Sequence, residues 1–351
     1  MRQTTTKKIE YYKREHECQE LIVTTFGCFI GMTKKGVTVK SEGSIIHQKP
    51  ANELRHIVIT GQGITLSSNL ITYCCENNIS IDFFNRGYHS GSIISNRHIQ
   101  ESLWQPQREC PVSRRMLLAA AIIKGKLKNQ LNLIKYFNKY HKSKNPHLGK
   151  YLEKMIQYVG KVDFSCILED LEPEDKIAFI TSKEAQGAIR YWSYIRQLLL
   201  DDGTRFDNRE RKGATDLVNC MLNYGYAILY SRVWQAILKA RLNPFDSLIH
   251  VRQSGKPTFV FDVIEMFRAQ AVDRVVISLI QKGKKLSTED GLLDSDTKGL
   301  LAKSVLERLG RYETYRGERL SLEQIITRQA TEIAAYFCGE VKTFRPYIAK
   351  W

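Results

Sequence analysis

The residues with the most chemistry to offer lie between 242 and 280, where Asp262, Glu265 and Asp273 interrupt a largely apolar run. Residues 258–280 read as one helix, and at 3.6 residues per turn the three carboxylates fall within roughly a quarter-turn of one another. Carboxylates on so apolar a helix are costly to bury unless a cation meets them. The loop before the helix carries Ser254, Gly255 and Pro257, with His250 on its far side. A hairpin-like return there would bring the imidazole against the carboxylate stripe. Oxygen ligands joined by one nitrogen suit a divalent metal, so the stretch is read as a metal site. Each residue also has a plainer reading. His250 follows Leu248 and Ile249 and fits a satisfied core histidine, while Asp262 and Glu265 could pair with Arg268 or Arg274 in a structural network. Glu184 has two readings. Thr181-x-x-Glu184 fits a capping box at a helix start, which the segment by itself favours, and the sharper reading makes Glu184 a metal ligand from a second helix.

The elements that must hold these residues divide into two kinds. From 21 to about 95 the texture is that of strands, with β-branched or aromatic runs at 21–30, 36–40, 57–60 and 79–84 and a turn at Thr33-Lys-Lys-Gly36. A short helix over 69–76, capped by Ser67 or Ser68, interrupts them. Gly61-Gln-Gly63 reads as an ordinary turn. A polar stretch with Pro106 and Pro111 follows, and from 114 onward helical periodicity dominates, with helices predicted at 114–137, 150–159, 182–200, 215–240, 258–281, 297–309 and 321–338. Lys124, Lys126, Lys128 and Lys135 on the first of these read as a solvated basic face. Residues 283–298 read as a mobile polar loop. The expected fold class is therefore α+β. A basic flexible lead-in (1–17) precedes a small, mostly antiparallel β domain with one short helix (18–101). A linker (102–111) leads to an all-α domain carrying the metal site (112–351).

Composition narrows the partners. The 351 residues carry 53 Lys+Arg against 37 Asp+Glu, a formal charge of +16, which favours a polyanion. The longest apolar runs are far too short to cross a bilayer, and the charged N-terminal residues lack the apolar core of a secretory signal, so a cytoplasmic protein without a membrane role is expected. Eight scattered cysteines form no C-x-x-C pair, which favours reduced core thiols. Walker, G-x-G-x-x-G and H-E-x-x-H signatures are absent.

Four ordered motifs carry a family resemblance. Glu184-Ala-Gln-Gly-Ala-Ile-Arg-Tyr191-Trp192 resembles the first ligand motif of the CRISPR-associated integrase, the nuclease-like subunit of the spacer-acquisition complex. Asp216-Leu-Val-Asn219 with Leu222-Asn-Tyr-Gly-Tyr226 resembles its central helix. Leu242-Asn-Pro244 with Leu248-Ile-His250 resembles the histidine segment. Phe261-Asp-Val-Ile-Glu265-Met-Phe-Arg268 with Val272-Asp-Arg274 resembles the helix bearing the last acidic ligand. Lys126-Leu-Lys-Asn129-Gln130 is similar to a further family pattern, and the resemblance spans roughly residues 20 to 348. Departures fall where the family has proline, at Arg209-Glu-Arg211-Lys212-Gly213 and at Ala269, and at Asp246-Ser247, where a glycine turn is usual.

The resemblance implies that Glu184, His250 and Glu265 are the catalytic metal ligands, with Asp262 as a supporting carboxylate and Mg²⁺ or Mn²⁺ as the cofactor. It implies a metal-dependent endonuclease and integrase that inserts short DNA into a CRISPR repeat array by attack of a 3′-OH on a phosphodiester. Arg209, Arg211, Lys212 and Arg268 are the expected phosphate contacts on double-stranded DNA. A homodimer formed largely through the β domains, bridged by a small ferredoxin-like partner, is also implied. Two alternatives stay open: a metal-dependent nuclease acting on branched DNA in repair, and a non-catalytic DNA-binding subunit whose carboxylates serve internal salt bridges.

Overall fold

The computed structural model describes residues 20–85, 88–95, 101–141, 143–165, 172–211, 213–251, 253, 255–289 and 291–350. The lead-in at 1–17, Lys212 and Ser254 therefore lie outside the described residues. The chain divides into two compact units, Met1–Gln100 and Glu101–Trp351, and the architecture is α+β.

In the first unit β-branched runs form β1 (Glu20–Val23), β2 (Phe29–Thr33), β3 (Gly36–Ser41), β4 (Ser44–Lys49), β5 (His56–Ile59), β6 (Thr65–Leu66), β7 (Ser80–Asn85) and β8 (Tyr88–Ile93). The run expected as one strand over 21–30 is two, β1 and β2. They make two four-stranded sheets, ordered β1-β5-β7-β8 and β4-β3-β2-β6. The pairings β1–β5, β5–β7 and β2–β6 are parallel, so the expectation of a mostly antiparallel domain is corrected to mixed sheets. Helix α1 (Ser68–Glu76) supplies the connection that parallel neighbours require. The Ser67 side chain caps it, accepting from the Leu70 amide. Leu21, Ile30, Val37, Ile57, Leu70, Cys74 and Ile81 join both sheets and α1 in one apolar cluster. One polar network sits among them. His56 Nε2 lies 2.7 Å from Asp82 Oδ2, and Ser92 Oγ donates to Asp82 Oδ1. Burial alone would push the Asp82 carboxyl up; His56 and His89 outweigh it and hold it at about 2.

The second unit is built from α2 (Glu101–Arg108), α3 (Val112–His141), α4 (Leu148–Lys161), α5 (Pro173–Asp201), α6 (Leu217–Lys239), α7 (Thr258–Ile264), α8 (Arg274–Gln281), α9 (Ser295–Leu309) and α10 (Leu322–Phe337). Helix α6 is buried on every side, as its nearly continuous apolar sequence requires. Three expectations are corrected here. The stretch 102–111 is not an irregular linker, because most of it is α2, which contains Pro106 and belongs to the second unit. The unit is not all-α: β9 (Thr288–Glu289) pairs with β10 (Leu292–Leu293) inside the expected polar loop, and β11 (Tyr312–Tyr315) pairs with β12 (Glu318–Ser321). The helix expected over 182–200 begins at Pro173, with Glu174 and Asp175 in its first turn. Glu184 therefore lies in mid-helix, and the capping-box reading of Thr181-x-x-Glu184 is overturned.

The predicted helix over 258–281 is broken. Helix α7 ends at Ile264, a turn follows, and Ala269–Asp273 is π-helical before α8 begins. Side chains from elsewhere take up backbone carbonyls that the disturbed ladder leaves over. Asn129 Nδ2 on α3 donates to Met266 O at 2.8 Å, and Arg308 Nε on α9 donates to Gln270 O at 2.9 Å. Gly225 on α6 makes room for the wide turn, since a Cβ there would lie 2.5 Å from Val272 Cγ1. One extra residue per turn is roughly 100° of helical phase. Asp273 is thereby turned away from Asp262.

Candidate active site

Three helices bring their polar groups to one point. Lys126 on α3, Glu184 on α5 and Glu265, just past the end of α7, meet there. The Lys126 ammonium pairs with Glu184 Oε1 and lies 2.6 Å from Glu265 Oε2. Lys126 is 5% exposed and Glu265 3%, so this is a buried ion cluster. The basic stripe read as a solvated face is thus not one face: Lys124 and Lys135 are exposed, whereas Lys126 is turned inward. Glycine permits the approach of the helices. A Cβ on Gly187 of α5 would fall 2.1 Å from Leu127 Cδ2 and 3.2 Å from Tyr158 Cε1.

Arg268 completes the neutralisation, its Nη1 2.9 Å from Glu265 Oε1. Burial would push the Glu265 carboxyl up, but Arg268 and Lys126 outweigh it and hold it far below the usual carboxylate range, with His250 near enough to add to the effect. Glu265 Oε2 has the Lys126 ammonium as its neighbour, so both carboxylate oxygens face a cation.

Asp262 faces a different group. It is fully buried and accepts from the Leu248 amide at 2.5 Å and the His250 amide at 3.3 Å. His250 Nδ1 lies 2.7 Å from Asp262 Oδ1. A carboxylate already accepting two backbone N–H groups takes the Nδ1 proton as well, which leaves Nε2 as the nitrogen with a lone pair. Asp262 thus orients His250 and stands apart from the glutamate pair. Asp273 lines the same cavity as the glutamates, where it accepts from Tyr191 Oη at 2.7 Å and Tyr226 Oη at 2.5 Å. Burial raises the Asp273 carboxyl, and the two hydroxyls and neighbouring arginines only partly offset it. The expected convergence of the three carboxylates is therefore only partial: Glu265 and Asp273 line one cavity with Glu184, whereas Asp262 is not among its lining residues and holds His250 instead. Among the described residues no group of three or more His, Cys, Asp and Glu side chains is placed to hold a metal ion.

A narrow cavity opens beside the glutamates, lined by Gln130, Trp192, Arg209, Arg211, Tyr226 and Arg268 among others. Arg209 donates to Asn219 Oδ1 at 2.9 Å and Asn223 Oδ1 at 2.5 Å, and both Arg209 and Arg268 lie over the Tyr226 ring. Of the expected phosphate contacts, Arg209, Arg211 and Arg268 thus share one cavity. The sequence reading missed the roles of Lys126, Asn129, Asn219 and Tyr226. Their signal was present as polar residues set into otherwise apolar helices, where each must find a partner.

The donor chemistry fits Mg²⁺ or Mn²⁺. That fit is one of donor type and not of present placement: Glu184 and Glu265 offer carboxylate oxygens, now facing Lys126, and His250 offers a nitrogen aligned by a second carboxylate.

Comparison with known families matches residues 21–311, most of the chain, to CRISPR associated protein Cas1. The chain belongs to the Cas1 family. A relative from Francisella tularensis subsp. novicida, a CRISPR-associated endonuclease Cas1, is 30% identical over 95% of this chain and 100% of its own. Another from Archaeoglobus fulgidus, also a CRISPR-associated endonuclease Cas1, is 29% identical over 94% and 99%. The fold matches a Cas1 protein from Thermotoga maritima with a TM-score of 0.73 at 19% identity, covering 93% of this chain and 98% of that one. It also matches a casposase bound to integration product, with a TM-score of 0.74 at 17% identity and 95% of both chains covered. No helix among the described residues is long and apolar enough to cross a membrane.

Proposed function

We propose that this Cas1 family member is a metal-dependent DNA endonuclease and integrase, inserting short DNA into a CRISPR repeat array. The observation that carries the reading is the meeting of Glu184 and Glu265, from separate helices, at a single cation, Lys126, with His250 oriented by Asp262 nearby. The family membership, the endonuclease names of the relatives and the fold shared with a casposase bound to integration product support it.

Glu184, His250 through Nε2 and Glu265 would hold Mg²⁺ or Mn²⁺. Bound there, the ion would lower the pKa of an attacking hydroxyl and neutralise charge on the phosphodiester oxygens. Asp262 keeps the histidine proton on Nδ1 and fixes the ring. Arg268 and Lys126 hold Glu265 ionised and ready to coordinate. Arg209, Arg211 and Arg268 line the adjacent cavity as phosphate contacts, and the +16 chain would bind double-stranded DNA with steep salt dependence. The attacking group is the 3′-OH of the incoming DNA, so no protein nucleophile is needed. A homodimer and a small bridging partner belong to the same reading, consistent with a Cas6-RT-Cas1–Cas2 complex among the solved structures of this fold.

One observation favours a second reading. Lys126 and Arg268 already neutralise Glu265, as in a non-catalytic DNA-binding subunit with internal salt bridges. The test separates the two. Purified protein, alone and with its small partner, is incubated with a short duplex bearing 3′-OH ends and a supercoiled plasmid carrying the repeat array, with Mg²⁺, Mn²⁺ or chelator. Metal-dependent joining, lost in His250→Ala and Glu265→Ala, is expected. Joining that survives both substitutions sinks the assigned ligands, nicking without joining favours a repair nuclease, and DNA binding without chemistry favours the structural subunit.

A further inference from the structure

The Lys126 ammonium pairs with Glu184 Oε1 and lies 2.6 Å from Glu265 Oε2, so one cation already joins the carboxylates of two separate elements. A divalent ion bridging the same oxygens lies about 2.1 Å from each, which leaves no room for the ammonium nitrogen between them. An ammonium has three N–H donors and no lone pair, so it cannot remain as a ligand. One of the two cations has to leave. Glu265 also faces Arg268, whose Nη1 lies 2.9 Å from Oε1, but Arg268 is anchored separately, 4.8 Å from the Tyr226 ring centroid. The Lys126 ammonium pairs with nothing but the two carboxylates among the described residues, and its four-carbon stem can swing. Gln130 offers a place for it. It lies one turn further along α3, on the face that Lys126 shares, and lines the same cavity. Gln130 is buried, and its Oε1 has no hydrogen-bond partner among the described residues. Such an acceptor is costly to leave without a donor. The Glu184 side chain is 24% exposed, so the pair opens to solvent on that side.

We propose that Lys126 is a resident counter-ion that holds Glu184 and Glu265 together in the metal-free protein and yields its place to a divalent ion by moving to Gln130 Oε1. The proposal rests on the reading of Glu184 and Glu265 as ligands. The exchange accounts for two observations at once. Two carboxylates from separate elements approach one another beside a buried cavity, which is strongly unfavourable unless a cation lies between them. A buried amide oxygen one turn away lacks a donor, which the displaced ammonium supplies. The exchange also makes Lys126 a competitor. Affinity for metal is then the difference between what two cations gain from one pair of oxygens. Lys126 is in this sense a positioning residue, keeping the ligands close to one another until the ion arrives.

The test is Mn²⁺ binding to the whole chain, with no DNA and no turnover. It is read from the loss of the free-ion paramagnetic resonance signal and from the rise of the unfolding midpoint over its value in chelator. Lys126→Met keeps the length of the side chain and removes the competitor. It is expected to lower the midpoint in chelator and to bind Mn²⁺ roughly tenfold more tightly than wild type. Gln130→Leu removes the receiving acceptor and leaves every charge in place, so Mn²⁺ should bind roughly tenfold more weakly while the midpoint in chelator does not fall. Added to Lys126→Met, Gln130→Leu should change Mn²⁺ affinity no further, because no ammonium is left to receive. Affinity in Lys126→Met equal to or weaker than wild type overturns the proposal, and so does a Gln130→Leu effect of the same size in both backgrounds. Unchanged affinity in Gln130→Leu overturns it even where Lys126→Met fails to fold. Glu265→Ala separates this proposal from the ligand reading. Binding that survives Glu265→Ala sinks the ligand assignment and the exchange with it, whereas binding lost there, with Lys126→Met no tighter than wild type, sinks the exchange alone.

Discussion

Asn129 gives the most searching test of how the site is held. Its side chain is fully buried and makes three hydrogen bonds to backbone: it donates to Met266 O at 2.8 Å and Tyr347 O at 2.9 Å and accepts from Ala349 N at 2.8 Å. Asn129→Ala leaves all three backbone groups without this partner in a place closed to water. Each such orphan costs about 1–3 kcal/mol, so a loss of roughly 3–9 kcal/mol is expected, a large share of a domain's stability. Asn132→Ala is the internal control. Asn132 donates one bond, to Ala349 O at 2.8 Å, from a half-buried position, and its loss should cost about 1 kcal/mol. Denaturant unfolding followed by tryptophan fluorescence isolates the relevant unit, because all four tryptophans lie beyond residue 100. A cost for Asn129→Ala no larger than that of Asn132→Ala would refute the argument.

Other substitutions probe other links. Asp262→Asn keeps the shape but removes the carboxylate that aligns His250, so metal affinity should fall about 10–100-fold in a titration while the midpoint of unfolding moves far less than for Asn129→Ala. Gly225→Ala places a methyl against Val272 on the π segment, and the displacement, about 1–3 kcal/mol after allowing for alanine's better helix propensity, should lower strand joining along with stability. Asp82 predicts an acid transition in the first unit. Its carboxyl sits at about 2 when folded against 3.8 otherwise, so its contribution is present above about pH 4 and is lost as pH falls through 2. Circular dichroism across that window should show the loss in wild type, and Asp82→Asn should flatten it.

Much of this was legible from sequence because local period and composition decide it. The β-rich first unit and the helices α3, α6, α9 and α10 follow from apolar spacing alone, whereas naming Glu184, His250 and Glu265 as ligands, with Asp262 in support, took the family resemblance and not spacing. What was not legible depended on distant partners. The break at 265–273 is stabilised by Asn129 and Arg308, so no window around it contains its cause. The capping-box pattern at Thr181 was satisfied by chance in the middle of α5, while the true start, Pro173 followed by Glu174 and Asp175, carried a better signal. Lys126 was grouped with its neighbouring lysines because spacing shows where a side chain departs from the helix, not what waits for it on the other side.

The bonds from Asn129 to Tyr347 and Ala349 span 218 and 220 residues. On a ribosome adding about 5–20 residues per second, the helix bearing Lys126 emerges roughly 10–40 s before the segment that pins it. During that interval α3 can form, but the amide that fixes Met266, and with it the turn carrying Glu265, lacks two of its three partners. A nascent chain is therefore held short of a finished nucleic-acid-cutting centre by the order of its own synthesis. Residues 347–349 act as a fastening applied only after the helices of the site have been made.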